Sequence, residues 1–217
     1  KMDVVDNEIT LAATDGFRIS VRKETLSSPI PQDISIIIPA RAMNELARIF
    51  SDVDKSVRMI VPAQRGQVIF RLKDAELVSQ LIDGNFPDYK AIIPKSAKTK
   101  TIISTPAFHK ACKQAEVIAR EGNNVIRLDI VPAEEGPGKV EINATTEETG
   151  KSDISVEANI EGSGLLIAFN VHFLVQVLDV IHSPNVALET NANNSPGVIR
   201  PMGDEDSVHV IMPMHLG

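Results

Sequence analysis

Apolar and polar residues alternate over short stretches along most of the chain. Segments 8–13, 34–38, 57–61, 67–72, 76–82, 100–104, 125–131, 139–144, 164–169, 186–189 and 208–212 alternate or are rich in β-branched residues, and are predicted as strands. Three stretches instead carry helical spacing. In 40–51, Met43, Leu46, Ala47 and Phe50 form one stripe, with Arg41, Glu45 and Arg48 opposite. In 105–121, Thr105 is the expected N-cap and Pro106 the first helical residue. Phe108, Ala111, Cys112, Ala115 and Ala119 are its inward stripe, and Lys110, Lys113 and Arg120 share the outer side. A third helix is expected after the cap residue Asn170, running to about residue 182 with Leu174, Val177, Leu178 and Ile181 inward. The final segment, VHVIMPMHLG, starts as a strand and ends in closely spaced apolar residues, where chain ends are usually polar.

The pattern also repeats. ITLAATDGFRISV (9–21) resembles VEINATTEETGKSDISV (140–156), and ISIIIPARAMNELARIF (34–50) resembles GLLIAFNVHFLVQVLDVI (164–181). SVRMIVP then matches NVALETN, GQVIF matches PGVIR, and VSQLIDG matches VHVIMPM. Two copies of one β-rich unit are therefore predicted, joined around 87–100. The second copy opens with a strand, a helix and a further strand that have no counterpart in the first copy, which starts at Lys1, mid-strand by the alignment. The comparison thus predicts roughly 30 or more residues ahead of the first copy, as in a fragment of a longer protein.

Composition narrows the function classes. Hydrophobic residues make up 43% and charged residues 24%, which supports a packed core and argues against disorder. There is no apolar run of transmembrane length. The single cysteine, Cys112, excludes an internal disulfide framework and points to a cytoplasmic location. The formal net charge of −7 repels nucleic acid on average, so any DNA-binding surface must gather its cations on one side. Aromatic residues are only 4%, with no tryptophan, which disfavours a stacking platform for single strands.

No catalytic constellation emerges. GxSxG, GxxxxGK[ST], HExxH and a strand-linked GxGxxG are all missing. Gly136-Pro-Gly138-Lys139 lacks phosphate-loop spacing, and Asn143-Ala-Thr145 reads as chance rather than glycosylation. The five histidines are scattered without metal-ligand spacing, and His172, Gln176 and Asp179 read as a solvated helix face. No catalytic residue, metal site or cofactor is expected.

Three motifs then become informative together. LAATDGFRIS (11–20), VSQLIDGNFPDY (78–89) and VIMPMHL (210–216), in this order and with the internal repeat, closely resemble the bacterial DNA polymerase III β-subunit family, the sliding clamps. The likeness covers essentially the whole chain. It implies an α+β fold of the DNA-clamp type, in which repeated β-rich domains carry channel-lining helices on one face and antiparallel sheets outside. Residues 1–97 would be the second of three clamp domains, lacking its N-terminal part, and 98–217 the complete third.

The resemblance implies a non-enzymatic processivity factor that encircles duplex DNA without sequence preference and tethers the replicative polymerase. It implies a cytoplasmic bacterial protein, associated with the nucleoid during replication and closed as a homodimeric ring when full length. Arg41, Arg48, Lys110, Lys113 and Arg120 would face the DNA channel, though by themselves they read as a solvated helix face. Val117 and Ile118 would belong to the subunit interface. The implied partners are the polymerase III α subunit, the clamp loader and repair polymerases, each docking through a short linear motif. Their pocket would fall on Thr14, Gly16, Phe17, Arg18 and Ile19, on Pro87 and Ile92, and on Val210, Met212, Pro213, Met214 and His215. Adaptable methionines suit a surface that serves several partners. Alone, the TDG motif reads as a plain hairpin turn and IMPM as a buried edge strand.

Departures from the family pattern touch its polar contacts. Clamps often carry histidine where Phe17 stands and arginine where Ala91 and His215 stand, and many end at the leucine before Gly217. His215 would make peptide binding sensitive to pH near neutrality. The alternative reading is a peptide-binding scaffold that never encloses DNA.

Overall fold

The computed structural model describes residues 1–50, 56–62, 66–121, 123–146 and 150–215. Two compact units result: Lys1–Ala13 with Arg22–Asp88, and Thr14–Val21 with Tyr89 onward.

The first unit holds β1 (Met2–Val5), nearly all of β2 (Glu8–Thr14), the second half of β3 (Arg18–Thr25), β4 (Ile34–Ile36), α1 (Ala40–Ile49), β5 (Arg58–Ile60), β6 (Gln67–Arg71) and β7 (Glu76–Gln80). Strand order runs β3-β2-β1-β4 in one sheet and β5-β6-β7 in another. Met2 and Val4 point inward from β1, and Met2 sits between Leu11 and Ile36 of its two antiparallel neighbours. Ala42, Met43 and Leu46 of α1 join Met2, Val4, Val68 and Phe70 in this core. Ala47 and Phe50, expected inward, are exposed. The helix ends at Ile49, and Phe50 turns to an extended conformation (φ −68°, ψ 127°), which takes its side chain off the helical stripe. The predicted helix end at Ser51 lies outside the described residues.

The second unit adds α2 (Tyr89–Ile92), β8 (Thr99–Ser104), α3 (Thr105–Ala119), β9 (Val125–Val131), β10 (Gly138–Thr146), β11 (Gly150–Gly162) and β12 (Leu165–Asn170). Then follow α4 (Val171–Asp179), β13 (Asn185–Thr190), β14 (Gly197–Pro201) and β15 (Ser207–Ile211). The strand order is β12-β9-β10-β11-β8-β13-β14-β15-β3. The first half of β3 belongs to this unit. All five residues of the predicted α3 stripe are buried, together with Leu174, Val177, Leu178 and Ile181 around α4. They pack on Ile126, Leu128, Ile142 and Ile167 of the sheet, and each such fully buried large side chain stabilises by roughly 1.5–3 kcal/mol.

Helix starts follow local chemistry. Asn170 caps α4 as expected, accepting from the His172 amide at 3.0 Å. The α3 start differs: Thr105 is the first helical residue, Ser104 stands at the cap without a side-chain bond, and Pro106 is second. The Thr105 hydroxyl is buried and turned away from any capping role.

The repeat is structural. Leu128 sits between Ile142 and Ile167 as Met2 sits between Leu11 and Ile36. Leu188 pairs with Ile199 as Met59 pairs with Phe70. β1 is thus the counterpart of β9, so of the three elements expected to lack one only β8 and α3 do among the described residues of the first unit. The alternation had left β1, β3, β11 and β14 unread as strands. β3 and β11 are polar over much of their length, β1 is short, and β14 is buried on both faces and so does not alternate.

Candidate functional site

The TDG motif builds a self-supported turn between β2 and β3. Asp15 Oδ1 accepts from the amides of Phe17 and Arg18, both at 3.1 Å. The Thr14 hydroxyl donates to the Arg18 carbonyl at 2.8 Å and accepts from the Gly16 amide at 3.1 Å. Gly16 has φ +89° with nothing within 4 Å, so the backbone rather than space calls for glycine there. Partial burial pushes the Asp15 carboxyl up. The Phe17 and Arg18 amides and the Arg18 guanidinium outweigh this and hold it below its usual value.

This turn presents two side chains. The Phe17 side chain is 63% exposed. Arg18 is clamped, with Nε 2.9 Å from Asp15 Oδ2 and its guanidinium carbon 4.4 Å from the ring centroid of Phe173 on α4. Phe173 was not among the expected site residues. The available signal was an aromatic lying off the core stripe of its own helix.

The tail is held against this turn. The Met212 amide donates to the Phe17 carbonyl at 2.9 Å, and the Met214 amide donates to the Ala168 carbonyl of β12 at 2.8 Å. Met212 remains 39% exposed, Pro213 and Met214 are half-buried, and His215 is exposed. Ile19 and Val210 are buried, so they support this surface from beneath rather than line it, as had been expected. Ile92 is exposed on α2, and Pro87 is exposed in the first unit. Leu216 and Gly217 lie outside the described residues.

Behind the turn, Ser20 Oγ lies 2.8 Å from Nδ1 of the buried His209 on β15. Burial lowers the His209 imidazole to about 4, although the Asp204 carboxylate pulls it up.

Lys110 and Lys113 are exposed on α3 and Arg120 just past its end, as are Arg41 and Arg48 on α1. Arg48 pairs with Glu45 at 2.9 Å. Lys113 Nζ lies 3.2 Å from Asp179 Oδ1 on α4, and His109 Nε2 lies 2.8 Å from the same oxygen. The latter is a close contact without the alignment of a hydrogen bond. The Lys113 ammonium, against a smaller burial effect, holds the Asp179 carboxyl below its usual value. His172 Nδ1 meets Glu116 Oε1 at 2.9 Å, and its Nε2 meets the Gln176 amide nitrogen at 2.8 Å. The helix face read as merely solvated is therefore cross-linked between α3 and α4. Arg41, Lys110 and Arg120 carry no ion-pair partner among the described residues. Val117 is 67% exposed, whereas Ile118 packs partly on the core.

Among the described residues, no cluster of three or more His, Cys, Asp or Glu could hold a metal ion. Cys112 is fully buried, and burial pushes its thiol far up. No helix among the described residues is long and apolar enough to cross a membrane.

Comparison with known proteins gives these features a context. The family of the DNA polymerase III beta subunit central domain matches residues 1–88, and that of its C-terminal domain matches 90–215. Over 213 residues the chain is 33% identical to the beta sliding clamp of Bacillus subtilis (strain 168), covering 97% of this chain and 55% of that protein. It is 32% identical to the beta sliding clamp of Staphylococcus aureus (strain Mu50 / ATCC 700699), covering 97% and 54%. The crystal structure of the DNA polymerase sliding clamp from Bacillus subtilis superposes with a TM-score of 0.91 at 32% identity, covering 100% of this chain and 56% of that one. The DNA polymerase III subunit beta from Pseudomonas aeruginosa gives 0.90 at 26% identity, covering 99% and 57%. The chain thus spans about half the length of the curated relatives it matches.

Proposed function

The chain belongs to the bacterial DNA polymerase III beta-subunit family, and from that premise we propose that it is part of a DNA sliding clamp. In this reading residues 1–97 serve as the second clamp domain and 98–217 as the third. The complete protein is a non-catalytic processivity factor. It closes as a homodimeric ring around duplex DNA in the bacterial cytoplasm, associates with the nucleoid during replication and tethers the replicative polymerase. Lys110, Lys113 and Arg120, with Arg41 and Arg48, offer sequence-independent attraction to phosphates. Weak contacts suit sliding, because each tight phosphate bond would have to break at every step. Val117, exposed and apolar, suits a subunit contact.

The same chain is proposed to capture short linear motifs of the polymerase α subunit, the clamp loader and repair polymerases. The observation that carries this is the bond from the Met212 amide to the Phe17 carbonyl, which sets exposed Phe17 beside exposed Met212. With Arg18 over Phe173, these side chains offer an apolar patch edged by a fixed cation. Ile19 and Val210 provide a rigid base. Ile92, Thr14, Gly16, Pro213, Met214 and His215, all in the second unit, complete the proposed pocket.

A fluorescein-labelled Gln-Leu-Ser-Leu-Phe peptide tests this reading by anisotropy. Micromolar binding that disappears in a Met212→Ala, Met214→Ala double variant supports the pocket. No detectable binding at millimolar peptide overturns it.

A further inference from the structure

The proposed peptide surface exists only while a surface turn stays in one register against the tail. Backbone bonds do not choose that register. The Met212 amide would find a carbonyl in a slipped alignment too, and a slip of one residue would turn either Ile19 or Val210 outward, according to which strand moves. A side-chain bond is selective, because its two partners meet in one alignment only.

Such a bond lies just behind the turn. Ser20 stands three residues after Phe17 in the chain, and His209 three residues before Met212. The equal spacing is that of two strands running in opposite directions. At one end the Met212 amide meets the Phe17 carbonyl at 2.9 Å, and at the other Ser20 Oγ meets His209 Nδ1 at 2.8 Å. His209 is 7% exposed and has Ser207 Oγ 3.4 Å from its second ring nitrogen, so both ring nitrogens face hydroxyls. A buried imidazole without its partner leaves an unmet polar atom in the strand pair, which raises the cost of this alignment.

We propose that Ser20 and His209 are a positioning pair that fixes the Thr14–Ile19 turn against Met212 and thereby sets the shape of the peptide surface. The inference rests on the peptide-site reading above for its function, and on the strand geometry alone for its mechanical part. Neither residue touches the ligand. Both act through Phe17 and Met212.

The test compares the chain with its Ser20→Ala and Ser20→Thr variants, using the labelled Gln-Leu-Ser-Leu-Phe peptide and residue-resolved amide hydrogen exchange. Loss of one buried hydrogen bond predicts about five- to tenfold weaker peptide binding in Ser20→Ala and exchange at the Met212 amide faster by about the same factor. Exchange in β9 and β10 should stay unchanged, and Ser20→Thr, which keeps the hydroxyl, should restore both readouts. Wild-type affinity and wild-type Met212 exchange in Ser20→Ala overturn the proposal, as does exchange accelerated evenly through the whole unit. A wild-type chain that fails to bind peptide, while Ser20→Ala still loosens Met212 alone, overturns the peptide-site reading and supports the positioning pair.

Discussion

Lys113 on α3 is held 3.2 Å from Asp179 on α4, so one cation proposed for the DNA channel already has a carboxylate partner. Phosphate must compete with that carboxylate, whereas Lys110 on the same helix and Arg120 at its C-terminal cap have no ion-pair partner among the described residues. Asp179→Asn is therefore expected to tighten binding of a labelled duplex by about twofold at low salt, the gain fading as screening rises. Lys110→Ala and Arg120→Ala should each weaken binding more than Lys113→Ala does. Anisotropy titrations across a salt series check all four.

Phe17 separates binding from stability. Its side chain is 63% exposed, so Phe17→Ala should alter unfolding free energy by no more than about 0.5 kcal/mol. The same change removes the aromatic anchor beside Met212 and should weaken the Gln-Leu-Ser-Leu-Phe peptide by about tenfold. Urea denaturation and peptide titration of the one variant test both parts.

His209 makes stability depend on pH. Its folded value of about 4 lies below the ordinary 6.5, so the unfolded chain takes up a proton that the native ring refuses. Its contribution is full above pH 6.5 and is lost as pH falls towards 4, by about 1.4 kcal/mol per unit and roughly 3 kcal/mol across the window. His209→Gln should flatten this part of the profile. The difference between urea-denaturation curves of the two proteins at pH 7.5, 5.5 and 4.5 isolates the histidine from the carboxylates.

Gly197 tests core packing away from the site. A Cβ there would stand 2.5 Å from Cζ of Phe169, a fully buried ring. Gly197→Ala should destabilise by about 1–3 kcal/mol through overpacking, measured by denaturant unfolding at pH 7.5.

Much of the architecture is legible in the sequence. Inward stripes such as Phe108, Ala111, Cys112, Ala115 and Ala119 mark α3, and Asn170 marks the start of α4, because helical period and capping are local. The strands that escaped notice are those whose identity depends on neighbours. β11 is polar enough to read as loop until β10 and β8 pair with it along its two sides. Thr105 lost its expected cap role because tertiary burial of its side chain outweighed a local preference.

The candidate site divides along the same line. LAATDGFRIS and VIMPMHL stood out as motifs, and the Asp15–Gly16 turn could be read from its own residues. Their union could not. Arg18 over Phe173, Ser20 against His209, Phe17 bonded to Met212 and Lys113 beside Asp179 each join residues far apart in the chain. By itself the sequence determined the repeat, the three longer helices and the turn, since each follows from spacing within a few residues. Which distant side chains meet was decided only by tertiary structure, because that depends on strand order and register, and no local period encodes either.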